Sequence, residues 1–137
     1  LDAAICSYHQ ELDQIYFSGA RLNIARMTQG ELIAIKGDRH SVGYRDSNPD
    51  FAFTNHSIAG ASNSTFYLAT DGLLDQLGGE KRLPFGRRRW HKFITEYSSH
   101  PMGEQKDVIL SQLSQHRGDI PFVDDLTIMG FSPSKLA

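Results

Sequence analysis

The chain cannot cross-link itself, because Cys6 is its only cysteine. A metal centre built from several thiolates is excluded for the same reason. A lone thiol suits a reducing compartment, so the expected setting is cytoplasmic, with anchoring of a parent protein through upstream regions left open. No apolar run approaches the roughly 20 residues that span a bilayer, and no secretory leader is visible, so no membrane contact is expected from this segment. Charge of one sign is lacking too. Fourteen Lys and Arg against sixteen Asp and Glu leave a formal net charge of −2, which supplies no general pull toward nucleic acid. The six histidines, His9, His40, His56, His91, His100 and His116, show no zinc spacing. There is no Gly-x-x-x-x-Gly-Lys phosphate loop and no Gly-x-Ser-x-Gly elbow.

What is present is the composition of one globular domain: 137 residues, 39% hydrophobic and 22% charged, enough for a single core. The opening "LDAAICSY" is already strand-like and lacks an initiator Met, which reads as a piece of a longer protein. Strands are predicted over residues 2–8, 14–20, 21–27 and 32–36, the third from its alternation and the last two joined by a loop over 28–31. A polar loop follows over 37–50. Alternation returns over 51–58, and "TFYLAT" (65–70) is a strong strand. Then the period changes. Trp90, Phe93, Ile94 and Tyr97 fall on one stripe of a helix. Pro101 opens a second helix whose apolar side carries Met102, Ile109, Leu113 and His116, joined by Val108 and Leu110, and Gly118 ends it. A last strand covers 126–131. Strands, then two helices, then a strand give an α+β layered domain.

Two places put carboxylates at strand ends. Asp71 follows the strand 65–70; Asp124 and Asp125 precede the strand 126–131. If these strands pair antiparallel, the acids converge at one edge. Converged carboxylates repel unless a cation neutralises them, and hard oxygen donors select Mg²⁺ or Mn²⁺. On spacing alone the bland reading stays open: Asp-Gly is a common turn or helix start, and Asp-Asp a solvated loop.

"ATDGLLDQLGGEK", "FGRRRW" and "DDLTIMGF", in that order and with "YFSGARLNI" and "GELIAIKGDRHSVGY" upstream, resemble the catalytic domain of the metal-dependent type 2C (PPM) serine/threonine phosphatases. The likeness is to the bacterial sporulation stage II E branch, and within it to the SiaA-like phosphatases of signalling proteins. It covers residues 1–132 as a partial domain, with 133–137 as a tail. The resemblance implies a β-sandwich of two antiparallel sheets flanked by helices. It implies hydrolysis of phosphoserine or phosphothreonine on a regulator protein, of the anti-sigma antagonist kind, by metal-activated water. Asp71 and Asp124 match metal ligands and catalytic residues, with Asp125 as a ligand or orienting neighbour, and two or more Mg²⁺ or Mn²⁺ ions are expected in the complete domain. The family's early Asp-Gly-His-Gly motif, source of a bridging ligand, has no counterpart in this sequence. The chain alone is therefore expected to be inactive. A homodimer is left open, as is a non-catalytic interaction domain that keeps the fold.

The run "EKRLPFGRRRWHK" (80–92) holds six Lys or Arg residues. It reads as a docking surface for an acidic or phosphorylated partner or as the polar face of a helix with Trp90 in the core; the helix face is preferred. "LGGEKRLPFG" (77–86) reads as a flap over the site or a connector. Cys6, in mid-strand, is expected to be buried.

Overall fold

The computed structural model describes residues 1–133. Its sheets form as the alternation requires, from tight antiparallel hairpins. Strand β1 (Ala3–His9) pairs β2 (Gln14–Ala20), which pairs β5 (His56–Ala59). The second sheet, in the order β4-β3-β6-β9, is made of β3 (Ile24–Thr28), β4 (Glu31–Ile35), β6 (Ser64–Ala69) and β9 (Ile128–Phe131), all antiparallel. The β3–β4 turn has only two residues, Gln29 and Gly30, both with positive φ, the backbone twist that matches a right-handed hairpin. Between β6 and β9 come a short helix α1 (Asp71–Leu74), a two-stranded hairpin of β7 (Leu77–Gly78) and β8 (Leu83–Pro84), and the helices α2 (Gly86–Tyr97) and α3 (Met102–Arg117). No helix among the described residues is long and apolar enough to cross a membrane.

Two apolar layers hold this together. Ile15, Phe17 and Ile58 of the first sheet meet Ile24 and Phe66 of the second. On the other face of the second sheet, Ala25 and Tyr67 receive Trp90, Phe93 and Ile94 of α2 and Ile109 and Leu113 of α3. Trp90 is thus a core residue, stacked on Phe93, and the cationic run is the outer face of its helix. Gln105, in the same buried row, accepts the Tyr67 hydroxyl at 2.8 Å and donates to the Ser98 and His100 carbonyls. Its polar ends are therefore satisfied inside the core. Among the described residues no helix covers the outer face of the three-stranded sheet: Ile5 is 72% exposed and Tyr16 40%.

Several expectations need correction. The third strand begins at Ile24, not at residue 21. Gly19 and Gly37 cross beside the Leu22 carbonyl so closely that a Cβ on either would strike it, and Arg21 takes a left-handed φ of 60. The alternation of Phe51 and Phe53 comes from packing on the His40 ring, so strand pairing starts only at His56. Leu110 is exposed on α3. Cys6 is exposed as well, because β1 is an edge strand, paired on one side by β2 and on the other by no strand among the described residues. The segment 77–86 is a short hairpin clamped by α3: Gly79 donates to the His116 carbonyl, and the His116 ring lies 3.1 Å from the Gln76 and Leu83 carbonyls. Pro133, at the head of the expected tail, is buried, and the rest of that tail lies outside the described residues.

The first hairpin is tied to the segment after β5 by Asp13, whose carboxylate accepts the Ser62 hydroxyl and N–H at 2.8 and 2.7 Å and the Tyr8 hydroxyl at 3.2 Å. The Ser62 hydroxyl is the leading cause that holds this carboxyl below its usual range. A folded-state pKa below the unfolded one stabilises above the ordinary carboxylate pKa and is lost as pH falls through the folded value. Asp13→Asn should therefore lower the melting temperature at pH 7, and the gap from the parent should close below about pH 4, as followed by circular dichroism.

Candidate active site

The strands that carry the two acidic corners are neighbours. β6 and β9 pair antiparallel in the register Ala69↔Ile128, so the end of one lies beside the start of the other. Beyond that register the pairing continues irregularly. Thr70 N–H donates to the Thr127 carbonyl at 3.0 Å, and the Thr70 hydroxyl accepts the Thr127 N–H at 2.9 Å while donating to the Asp125 carbonyl at 3.2 Å. Asp71 follows at once and starts α1. Gly72 is buried against the Asp124–Asp125 backbone, where a Cβ would run into the Asp125 carbonyl oxygen. Side chains far apart in sequence are thus carried by backbones in van der Waals contact. Sequence reasoning misses Thr70 as part of this site; the only hint is its place between the strand and Asp71.

All three aspartates are exposed. Asp124 Oδ1 accepts the Asp125 N–H at 2.7 Å, which fixes that carboxylate's direction and leaves its second oxygen free. The donor chemistry fits Mg²⁺ or Mn²⁺, hard cations that take carboxylate oxygens and keep several waters. The number of donors is short. Among the described residues no three His, Cys, Asp or Glu groups converge closely enough to hold an ion, so an ion held by Asp71 and Asp124 must complete its shell from water or from donors elsewhere.

Asp71 also opens onto a cleft of about 500 Å³. Its walls come from the β2–β3 crossing, the end of β4, α1 and the start of α2, and Asp2 joins it from ahead of β1. Asp2, expected in the first strand, precedes it and accepts the Ser41 hydroxyl at 2.7 Å. His40 is no part of this cleft: it stacks on Phe51 at 4.1 Å.

A sandwich of two antiparallel sheets, helices over one of them and acids at the β6–β9 edge define a PPM-type phosphatase fold. The sequence model for Stage II sporulation protein E (SpoIIE) matches residues 5–132, and the chain belongs to that family. Among solved structures it is similar to the SiaA-PP2C domain of Pseudomonas aeruginosa, with a TM-score of 0.86 and 32% identity over 96% of this chain. The match takes in 51% of that domain's chain, so this chain spans about half of its length. No curated protein matches.

Proposed function

We propose that the chain is the C-terminal part of a metal-dependent protein serine/threonine phosphatase domain in a bacterial signalling protein. Its substrate class is a phosphorylated regulator protein of the anti-sigma antagonist kind, met in the cytoplasm. The observation that carries the reading is the β6–β9 pairing, with the backbone at Gly72, next to Asp71, packed against the Asp124–Asp125 backbone. Family membership and the likeness to the SiaA-PP2C domain support it. Asp71 and Asp124 are assigned as ligands, and Asp125 as a ligand or as the residue whose backbone orients Asp124. Bound Mg²⁺ or Mn²⁺ supplies a water nucleophile at neutral pH and offsets charge on the phosphoryl oxygens. The chain's own part is to present two carboxylates at one sheet edge, with Thr70 bonding the two strands together.

Turnover in this reading draws on the other half of the domain. The short donor set and the uncovered outer face of the three-stranded sheet, where Ile5 and Tyr16 are exposed, both support that division. The test is phosphate release from a phosphoseryl protein by the complete catalytic domain. Release is expected with Mn²⁺, is abolished by chelation and returns when Mn²⁺ is restored. The 137-residue chain alone is expected to release none. Release that persists in excess chelator would overturn the metal reading, and turnover by the short chain would overturn the division.

A further inference from the structure

The cleft beside Asp71 carries charges that the fold itself does not use. Three carboxylates line it, Asp2, Asp71 and Asp75, and three cations, Arg21, Lys36 and Arg87. Asp2 is engaged by Ser41. The cations are exposed, and the ion pairs among the described residues lie elsewhere, Lys92 with Glu96 and His100 with Glu104. Three other arginines are braces: Arg26 holds the Ser64 hydroxyl and the Ala59 and Gly60 carbonyls, Arg89 the Pro84 and Phe85 carbonyls, and Arg117 the Ile120 carbonyl. Among the described residues, the Arg21 and Arg87 side chains brace nothing.

Both are also placed against local preference. Arg21 has φ 60, a left-handed backbone that a side chain rarely adopts, held there by its N–H on the Asp38 carbonyl at 2.8 Å. Arg87 stands in the first turn of α2, which holds no acid, where the positive end of the helix dipole disfavours a cation. An anion lying between these side chains would relieve both charges. Guanidinium forks suit carboxylate and phosphate oxygens.

The cleft adjoins the proposed ion site, and its role as a substrate-binding surface rests on the phosphatase reading. With Asp71 neutralised by an ion, the cations outnumber the remaining carboxylates. We propose that this cleft receives acidic residues next to the phosphorylated residue of the substrate protein, and that Arg21, Lys36 and Arg87 select substrates by that acidic flank. The neighbouring groove between α2 and α3 is a weaker host, because its Arg89 is engaged by carbonyls and its Lys92 by Glu96. A single-stranded nucleic acid fits the cleft poorly. Its one indole, Trp90, is 5% exposed and stacked on Phe93, so no open aromatic platform awaits a base.

Fluorescence anisotropy of this chain with labelled peptides tests the proposal. The peptides share a central phosphoserine and differ in having Asp and Glu, or Asn and Gln, on its flanks. The acidic flank should bind about tenfold tighter, the sum expected of two or three exposed ion pairs. Combined Arg21→Ala and Arg87→Ala should erase that preference, whereas Arg88→Ala, on the same helix but outside the cleft, should keep it. Equal affinity for the two peptides, an equal loss with Arg88→Ala, or tighter binding of an oligonucleotide of the same charge would each overturn it. Circular dichroism checks that the variants fold; if the double variant does not, Arg21→Lys and Arg87→Gln carry the comparison instead. The flank preference is also read on the complete domain with unphosphorylated acidic and neutral peptides in saturating Mn²⁺, where Asp71 is neutralised, and a Mn²⁺ titration of the same domain reads the ion site separately. Preference without Mn²⁺ binding would sink the phosphatase reading and reduce the cleft to a site for acidic peptides; Mn²⁺ binding without preference would sink this inference alone.

Discussion

Replacing Asp124 with Asn in the complete catalytic domain is expected to cut metal-dependent phosphate release by at least about a hundredfold, with Asp71→Asn doing the same. Loss of a group that merely orients a ligand commonly costs tenfold to a hundredfold in metal affinity or activity, and loss of a charged ligand removes both a bond and the charge that holds the ion. Asn is chosen because its amide oxygen can still accept the Asp125 N–H that aligns position 124. Asp124 is exposed, so stability should stay within about 0.5 kcal/mol of the parent, as for most surface changes. Asp125→Asn separates the two roles open to that residue. If Asp125 acts only through its backbone, the Asn variant keeps most of the activity; if its carboxylate is a ligand, the loss matches that of Asp124→Asn. Mn²⁺ titration and phosphate release, measured on the same samples, read both. Full activity of Asp71→Asn and Asp124→Asn would remove the chemical basis of the proposed function.

Most of the strands were legible because their faces differ: Ile15 and Phe17 alternate with exposed positions on β2, and Trp90, Phe93 and Ile94 repeat at helical spacing on α2. What sequence periodicity could not separate was alternation that buries side chains in a ladder from alternation that buries them elsewhere. Phe51 and Phe53 pack on His40 outside any sheet, and the Arg21–Asn23 stretch is diverted where Gly19 and Gly37 cross. Buried polar residues were equally hidden. Gln105 and Gln76, at 4% and 0% exposure, look like surface residues until their distant partners come into view, the Tyr67 hydroxyl for Gln105 and the Pro121 carbonyl for Gln76. The acidic site had a similar status. Composition supplied the carboxylates, but their convergence depends on β6 and β9 being neighbours, a long-range pairing that no local pattern encodes; the strand ends posed it as a condition and the family resemblance supported it.

That dependence of the site on one strand contact makes Gly72 the residue where fold and chemistry meet. Its missing side chain lets α1 start flush against the Asp125 carbonyl. Gly72→Ala forces a shift of one backbone against the other. The Asp124–Asp125 segment is exposed and is the softer partner, so it should move while the β6 core, with Phe66 and Tyr67 buried, stays in place. The expected stability loss is about 1–3 kcal/mol, the usual range for forcing an extra group into a packed site. The functional loss should be larger, since displacing a reacting group by about an ångström can cost on the order of a hundredfold. Gly103→Ala is the control. Its added methyl meets nothing within 4 Å, it lies in the first turn of α3, and alanine gains up to about 1 kcal/mol over glycine in a helix. Chemical denaturation should thus show Gly103→Ala equal to or above the parent in stability with unchanged Mn²⁺ affinity, and Gly72→Ala below the parent in both. A Gly72→Ala domain that keeps parental Mn²⁺ affinity and turnover would mean that the closeness of the two acidic corners is not what the chemistry uses.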